Sequence, residues 1–161
     1  MHRRVLIMVV ALAAFLVALP STGSAGMSAK AQRVMLVQKH RAGDSHGTFV
    51  LHVLTPGPLR LDSGRYDYVA AERPYVVRKG QWAAVYVGIQ ALVGKAGTLF
   101  IRWRAEFVGA GNGSTVGTGA WVVERGTGVY ARATGGGRLA TVTATPRGMT
   151  SSQLEGLVRR R

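Results

Sequence analysis

Residues 99–108 read Leu-Phe-Ile-Arg-Trp-Arg-Ala-Glu-Phe-Val, and their alternation indicates how the chain folds. Every second side chain from Leu99 onward is apolar, whereas Arg102, Arg104 and Glu106 lie between them. The side chains of a strand alternate between its two faces, whereas a helix would scatter the three charges around its circumference. The pattern therefore predicts a β-strand with one face on a core and the other in solvent.

Shorter segments rich in Val, Tyr, Ile and Leu lie on both sides of this one. The 22 glycines are spaced between the segments, and no segment has the apolar period of an amphipathic helix. Short strands with frequent turns predict an all-β barrel or sandwich, and we prefer a single antiparallel barrel of about eight strands. The predicted strands are Arg33–Lys39, Thr48–Leu54, Tyr66–Ala70 after a turn at Asp62-Ser63-Gly64, Trp82–Leu92, Leu99–Val108, Gly117–Val123, Val129–Ala133, Leu139–Thr145 and Gln153–Val158.

The N-terminus has the three parts of a secretory signal. Basic residues follow Met1, the residues of the 5–19 run are apolar, and small residues follow Pro20. The apolar run is shorter than the roughly 20 residues of a transmembrane helix. We therefore predict a signal helix that is cleaved after Ala25, and a protein that is secreted or associated with the cell envelope. Cleavage after Ala31 and an uncleaved membrane anchor are the alternatives.

The rest of the chain suffices for one domain. The predicted organisation is a signal peptide at 1–25, a short linker at 26–31, a β-barrel domain at 32–158 and a basic tail at 159–161. The sequence has no cysteine, which excludes disulfides, thiolate nucleophiles and cysteine-ligated metal. Such a domain depends on apolar burial and sheet hydrogen bonds, and closure of the sheet removes its exposed edges.

The chain is strongly basic. Its 21 Lys and Arg residues against 7 Asp and Glu residues give a net charge of +14, which favours anionic partners such as cell-envelope polymers or lipid surfaces. Nucleic acid is not a predicted partner. Trp103 points away from Arg102 and Arg104 on a strand, so base stacking and phosphate contact would fall on different faces.

One segment resembles a known group of proteins. Residues 117–131 read Gly-Thr-Gly-Ala-Trp-Val-Val-Glu-Arg-Gly-Thr-Gly-Val-Tyr-Ala, and residues 133–139 read Ala-Thr-Gly-Gly-Gly-Arg-Leu. This pattern is similar to one in small secreted bacterial proteins of the allene oxide cyclase and dirigent-like barrel group, and residues 97–101 also match. The resemblance covers about the C-terminal half and implies an eight-stranded antiparallel barrel. It implies no activity, and no catalytic residue is carried over from it.

The glycines of this segment also have a physical interpretation. Gly126 and Gly128 can supply positive φ angles for a sharp turn. That turn would place the Tyr130 ring on the core and its hydroxyl near the end of the barrel. The run Gly135–Gly137 permits either another tight reversal or the close approach of a neighbouring strand. It does not predict a phosphate-binding loop, because no Gly-Lys-Ser/Thr sequence follows it.

Candidate catalytic and metal-binding groups are sparse. His40, His46 and His52 are evenly spaced, but neighbours in this series would lie about 20 Å apart along a strand, too far to share a zinc ion. We therefore predict no metal and no cofactor. The acidic residues show no spacing that predicts a carboxylate pair, and no Gly-x-Ser-x-Gly elbow marks a nucleophile. An enzyme is the less favoured prediction.

Aromatic residues of the predicted strands are candidates for a ligand site inside the barrel. An eight-stranded barrel is either filled by side chains or holds one small ligand. Plain core packing is the alternative role of the same rings. The predicted ligand-binding residues are Trp82, Tyr86, Trp103 and Tyr130, and Tyr66, Tyr68 and Tyr75 are further candidates for the lining.

Three functions agree with these features. The first is a secreted, non-enzymatic barrel that binds a small apolar or amphipathic ligand or forms a homo-oligomer, and it predicts an open cavity on the order of hundreds of Å³. The second is a basic protein that adheres to anionic envelope polymers or lipids, and it predicts one continuous positive face. The third is a cyclase-like or isomerase-like enzyme, and it predicts a buried polar cluster inside the cavity.

Overall fold

The structure, a computed structural model, describes residues 30–72, 83–110, 113–144 and 148–161. The predicted signal helix and Trp82 lie outside these residues. The described residues form eight strands and one turn of 3-10 helix at Gly128–Tyr130. The strands are β1 (Gln32–Arg41), β2 (His46–Val53), β3 (Asp62–Glu72), β4 (Ala83–Gly94), β5 (Thr98–Gly109), β6 (Thr115–Gly126), β7 (Ala133–Thr143) and β8 (Met149–Arg160).

The eight strands close into a barrel. Each strand pairs in antiparallel fashion with the next one along the chain, and β8 pairs with β1 to complete the ring. The prediction of an all-β, eight-stranded antiparallel barrel is confirmed, and the sandwich alternative is excluded. In the part of the chain that the structure describes, no helix is long and apolar enough to cross a bilayer.

β5 has the alternation that its sequence predicts. Ile101 is fully buried and Trp103 is nearly so, whereas Arg102 and Arg104 are exposed on the outer face. On that face Arg102 forms an ion pair with Glu124 of β6, with 2.5 Å between Nε and Oε1. An ion pair in water contributes about 0–1 kcal/mol, so the buried face of β5 contributes far more to stability.

The observed strands extend beyond most of the predicted bounds. β8 begins at Met149 rather than at Gln153 and continues through Val158 to Arg160. Arg159 and Arg160, which were predicted as part of a basic tail, pair with Thr134 and Ala133 of β7. Polar strand ends cannot be predicted from an apolar pattern, because their ladder hydrogen bonds do not depend on the side chains.

The start of β3 corrects another prediction. Asp62, Ser63 and Gly64 were predicted as a turn, but they are strand residues that pair with β2, and Gly64 also pairs with β4. A Cβ on Gly64 would lie 2.0 Å from the backbone oxygen of Val93. A glycine is therefore needed inside the strand, where β4 approaches closely.

The prediction of a strand at Val129–Ala133 is wrong. The chain forms the 3-10 turn at Gly128–Tyr130, and β7 begins only at Ala133. Gly128 has a φ of 57°, which confirms its predicted use in a sharp turn. The apolar residues of this segment are explained by burial of the Tyr130 ring, which is 1% exposed, and not by strand pairing.

The run Gly135–Gly137 lies inside β7 and lets β8 approach. A Cβ on Gly137 would lie 1.8 Å from the backbone oxygen of Glu155. Trp121 of β6 pairs with Gly137, and its Nε1 donates to the Glu155 oxygen at 3.3 Å. The indole thus reaches across β7 to β8 over a position that carries no side chain. Close approach, rather than a reversal, is the role of the glycine run.

One end of the barrel, which we call the closed end, is filled by packed side chains. Leu59, from the connection between β2 and β3, is 1% exposed, and its N–H donates to the Gln32 side chain at 2.8 Å. Asp62 accepts hydrogen bonds from the Tyr130 hydroxyl at 2.7 Å and from the Lys95 backbone N–H at 3.0 Å. The predicted place of the Tyr130 hydroxyl, near a barrel end, is confirmed.

Candidate ligand-binding cavity

The opposite end, which we call the open end, contains a cavity of about 420 Å³. It lies among the ends of the strands and the connection from β1 to β2, where Ala42, Gly43, Asp44 and Ser45 form part of its rim.

Strand closure gives the cavity two chemically different sides. The aromatic side, on β3 to β5, consists of Tyr68, Tyr86, Trp103 and Phe107, and the hydroxyl side, on β6 to β8, consists of Thr115, Thr141, Thr143, Thr150 and Ser152.

The rings of the aromatic side pack edge to face. Tyr68 and Trp103 have their ring centroids 6.0 Å apart, and Tyr86 and Phe107 have theirs 5.1 Å apart. The imidazole of His40 continues this cluster, 6.1 Å from Tyr68. Edge-to-face packing holds the rings in fixed orientations, so this side of the cavity is formed before any ligand arrives.

The indole N–H of Trp103 has no partner. Trp103 lines the cavity and is 9% exposed, and among the described residues its Nε1 is the one buried side-chain nitrogen or oxygen without a hydrogen bond. Leaving such a donor unpaired costs about 1–3 kcal/mol. The Trp103 indole lies against Gly88 of β4, where an added Cβ would be 2.7 Å from Cζ2 of the indole. Because Nε1 is itself inaccessible and lies against Gly88, this N–H faces β4 rather than the space of the cavity.

The hydroxyl side is made of paired Ser and Thr residues. The Ser152 hydroxyl donates to Oγ1 of Thr141 at 2.9 Å, and the hydroxyls of Thr143 and Thr150 lie 3.0 Å apart. Each hydroxyl is both a donor and an acceptor. This side can therefore hydrogen-bond a polar group of a ligand without carrying a charge.

The floor of the cavity is a buried amide pair. Nε2 of Gln38 in β1 donates to Oε1 of Gln90 in β4 at 2.9 Å, and the two side chains are 2% and 3% exposed. Burial also raises the pKa of Tyr68, and hydrogen bonds with Gln90 and Tyr66 partly offset that increase. The floor is polar but neutral. Neither glutamine was predicted as a site residue, although each occupies an inward position in an apolar alternation, which is the signal that could have identified it.

His40 and Tyr66 form a second polar contact at the cavity. Nδ1 of His40 lies 2.5 Å from the Tyr66 hydroxyl oxygen. Burial lowers the pKa of His40, although Asp44 opposes this effect, and burial raises the pKa of Tyr66. Both groups are therefore neutral at pH 7, and Nδ1 shares a hydrogen bond with the Tyr66 hydroxyl. A neutral imidazole of this kind can accept a proton, a capacity of His40 that its sequence context does not predict.

The structure separates the predicted ligand-binding residues. Tyr86 and Trp103 line the cavity, whereas Tyr130 is packed at the closed end, where its hydroxyl bonds to Asp62. Trp82 and Tyr75 lie outside the described residues. A ligand-binding role for Tyr86 and Trp103 stays a prediction, and the contacts of Tyr130 give it a structural role at the closed end.

Of the three histidines, only His40 lines the cavity. His46 is exposed, and His52 is half-buried on the outer face of β2. In residues 30–72, 83–110, 113–144 and 148–161 no three His, Asp or Glu side chains are grouped as metal ligands. The described residues that line this end of the barrel offer hydrogen bonding, ring contact and proton exchange.

Comparisons with protein families, curated proteins and solved structures bear on the resemblance noted above. No family profile, curated protein or solved structure matches this chain. The likeness to the allene oxide cyclase and dirigent-like group accordingly stays a prediction, and function is inferred from the geometry of the barrel alone.

Proposed function

We propose that this protein is a secreted, non-enzymatic barrel that binds one small amphipathic molecule in the cavity at its open end. The observation that carries the proposal is an open cavity of about 420 Å³ with an aromatic side and a hydroxyl side. Pockets that bury small molecules are usually concave, largely preformed and about 300–1,000 Å³ in volume. Secretion is supported by the signal-like composition of residues 1–25.

The contrast between the two ends of the barrel supports binding. Protein interiors are normally packed to the density of organic crystals, and the closed end follows this rule around Leu59 and Tyr130. The open end has the same strands around it, but the described residues leave a cavity there. Since a larger side chain at any of several lining positions would fill it, the empty volume is consistent with selection for an occupant.

The proposal predicts that filling the cavity abolishes ligand retention. Thr143 lines the cavity in β7, whereas its neighbour Val142 is 48% exposed on the outer face. We expect native mass spectrometry of protein purified from its own secretion medium to show a retained small molecule on the wild type. We expect Thr143→Phe to retain at most about one tenth as much of this molecule as the wild type, because the added ring occupies the binding volume.

Val142→Phe is the matched control, since it adds the same ring to the same strand outside the barrel, and we expect it to retain the molecule. The proposal fails if the wild type carries nothing and binds no neutral probe, or if Thr143→Phe retains as much as Val142→Phe. An isomerase-like enzyme and adhesion to anionic envelope polymers or lipids stay as alternative predictions.

A further inference from the structure

Every connection between strands at the closed end carries one exposed basic residue. Arg60 lies between β2 and β3, Lys95 between β4 and β5, and Arg132 between β6 and β7, and all three connections belong to the described residues. The Arg60 guanidinium donates to backbone oxygens, one of which is that of Leu59 at 3.0 Å. These neutral partners do not compensate its charge. Because the strands follow each other around the barrel, the three cations are spread around this end.

The side of this end that β8 and β1 form adds further positive charge. β8 ends here with Arg159 and Arg160, and Arg161 follows. Lys30 and Arg33 lie at the start of β1, which pairs with β8. All five residues are exposed. Together with the three cations of the connections, they form a ring of positive charge that we call the basic rim.

The described carboxylates at this end do not neutralise the basic rim. Asp62 is 5% exposed and accepts hydrogen bonds from the Tyr130 hydroxyl and from the Lys95 backbone N–H. Glu124 is paired with Arg102, which is not part of the rim. Charges of one sign that are gathered on one surface create a potential that attracts an oppositely charged surface.

Exposed apolar side chains lie among the cations of the basic rim. Leu61 follows Arg60 directly and is 67% exposed, the largest fraction among the exposed large hydrophobic residues of the described chain. Leu54, near the other end of the same connection, is 48% exposed. The two leucines and Arg60 border a surface pocket of about 320 Å³. Apolar side chains that are surrounded by charge are typical of an interaction surface.

This combination favours a lipid surface over a soluble polyanion. Proteins that bind to membrane surfaces combine attraction of Lys and Arg to anionic headgroups with burial of apolar side chains at the boundary between headgroups and acyl chains. The apolar stems of Lys and Arg also suit this boundary, because the charged ends stay at the headgroups. A hydrophilic polyanion can use the cations but gains nothing from Leu54 and Leu61.

We propose that the closed end of the barrel is a docking surface for an anionic phospholipid bilayer, with the basic rim at the headgroups and Leu54 and Leu61 inserted between them. This inference goes beyond the proposed function, because ligand binding involves the opposite end of the barrel. A barrel docked in this way holds the cavity at its open end away from the bilayer, where a ligand from the medium can reach it.

Reversal of two cations tests the contribution of the basic rim. Sedimentation of the secreted protein with phosphatidylglycerol vesicles at about 0.15 M NaCl measures the affinity. Lys95→Glu combined with Arg160→Glu should lower it at least about thirtyfold, because each cation near an anionic surface contributes a factor of about five. Lys39→Glu combined with Arg41→Glu is the matched control with the same net charge, since both residues are exposed near the end of β1 at the open end. The control should stay within about threefold of the wild type.

Insertion of Leu61 is tested with a dye and with a polar substitution. Because the chain has no cysteine, Leu61→Cys can carry a single environment-sensitive dye, whose emission should shift to the blue on phosphatidylglycerol vesicles. Met149→Cys is the control, because Met149 is 51% exposed at the open end, and its dye should not shift. Leu61→Ser should lower the affinity for these vesicles about fivefold and leave the binding of dextran sulfate, a soluble polyanion, within about twofold.

The outcomes distinguish a docking surface from general adhesion. Equal losses in the two charge-reversed variants, or equal binding of the wild type to uncharged phosphatidylcholine vesicles, would overturn the inference. An unshifted dye at Leu61, or the same response of vesicle and dextran sulfate binding to Leu61→Ser, would make the rim a site for polyanions instead of a membrane surface. If a charge-reversed variant does not fold, the two dye positions still decide. Ligand retention is measured separately, so the proposed function can fail or hold independently of these results.

Discussion

At the scale of single residues, His40 makes the stability of the barrel depend on pH. Its imidazole shares a hydrogen bond with the Tyr66 hydroxyl, and burial holds its pKa below the usual value of 6.5, with Asp44 opposing and His46 reinforcing that effect. The unfolded chain therefore binds a proton at this position more readily than the folded chain does. Stability from His40 is complete above about pH 6.5 and is lost as the pH falls through the lowered pKa.

We expect the free energy of unfolding to decrease as the pH falls below about 6.5, and to decrease less in His40→Asn, whose side-chain amide can replace Nδ1 as the hydrogen-bond partner of Tyr66. Urea titrations at each pH measure this difference. His52→Asn is the control, because His52 lies on the outer face of β2. Identical pH profiles for the wild type and His40→Asn would contradict the assignment of His40 as a buried neutral imidazole.

At the scale of elements, the glycine run of β7 is predicted to be a steric requirement. Gly137→Ala would place a Cβ 1.8 Å from the backbone oxygen of Glu155 in β8, and strands cannot relieve such a clash by moving a flexible side chain. We expect a loss of about 3 kcal/mol in the free energy of unfolding, at the upper end of overpacking effects. Denaturant unfolding followed by Trp fluorescence measures it.

The reverse substitution in the same strand distinguishes sterics from strand propensity. Ala140→Gly, on the exposed outer face of β7, should cost no more than about 1 kcal/mol. A small effect of Gly137→Ala, or equal effects of the two substitutions, would show that β7 and β8 are not in the close contact described.

The strands were predictable because their signal is local. The alternation around Trp103 is readable within ten residues, and it places Arg102 outside without knowledge of any partner strand. The cavity was not predictable in the same way. Gln38 and Gln90 are 52 residues apart in the chain, and His40 and Tyr66 are 26 apart. These pairs meet only because the sheet closes, and no local pattern encodes the distance across a barrel.

At the scale of the whole molecule, positive charge and binding chemistry are spatially separated in the part of the chain that the structure describes. There the Lys and Arg side chains lie on the outer surface, which also carries carboxylates and apolar side chains, as the Arg102–Glu124 pair and the 55% exposed Leu157 show. Within the described residues the cavity lining has no Lys or Arg. Adhesion to anionic surfaces and ligand binding are therefore expected to be independent properties of the barrel.

High salt distinguishes adhesion to anionic surfaces from ligand binding inside the barrel. At about 1 M salt the Debye length falls to about 3 Å, which removes the attraction of a chain with a net charge of +14 to anionic surfaces but leaves hydrogen bonds and ring contacts inside the barrel nearly unchanged. We expect the protein to sediment with phosphatidylglycerol vesicles at about 0.15 M NaCl and to be released at about 1 M, while the amount of small molecule that it retains stays within about twofold. A parallel loss of the retained molecule would place its binding site on the charged surface. Retention of the protein on vesicles at high salt would show that exposed apolar side chains, not charge, hold the barrel to lipid.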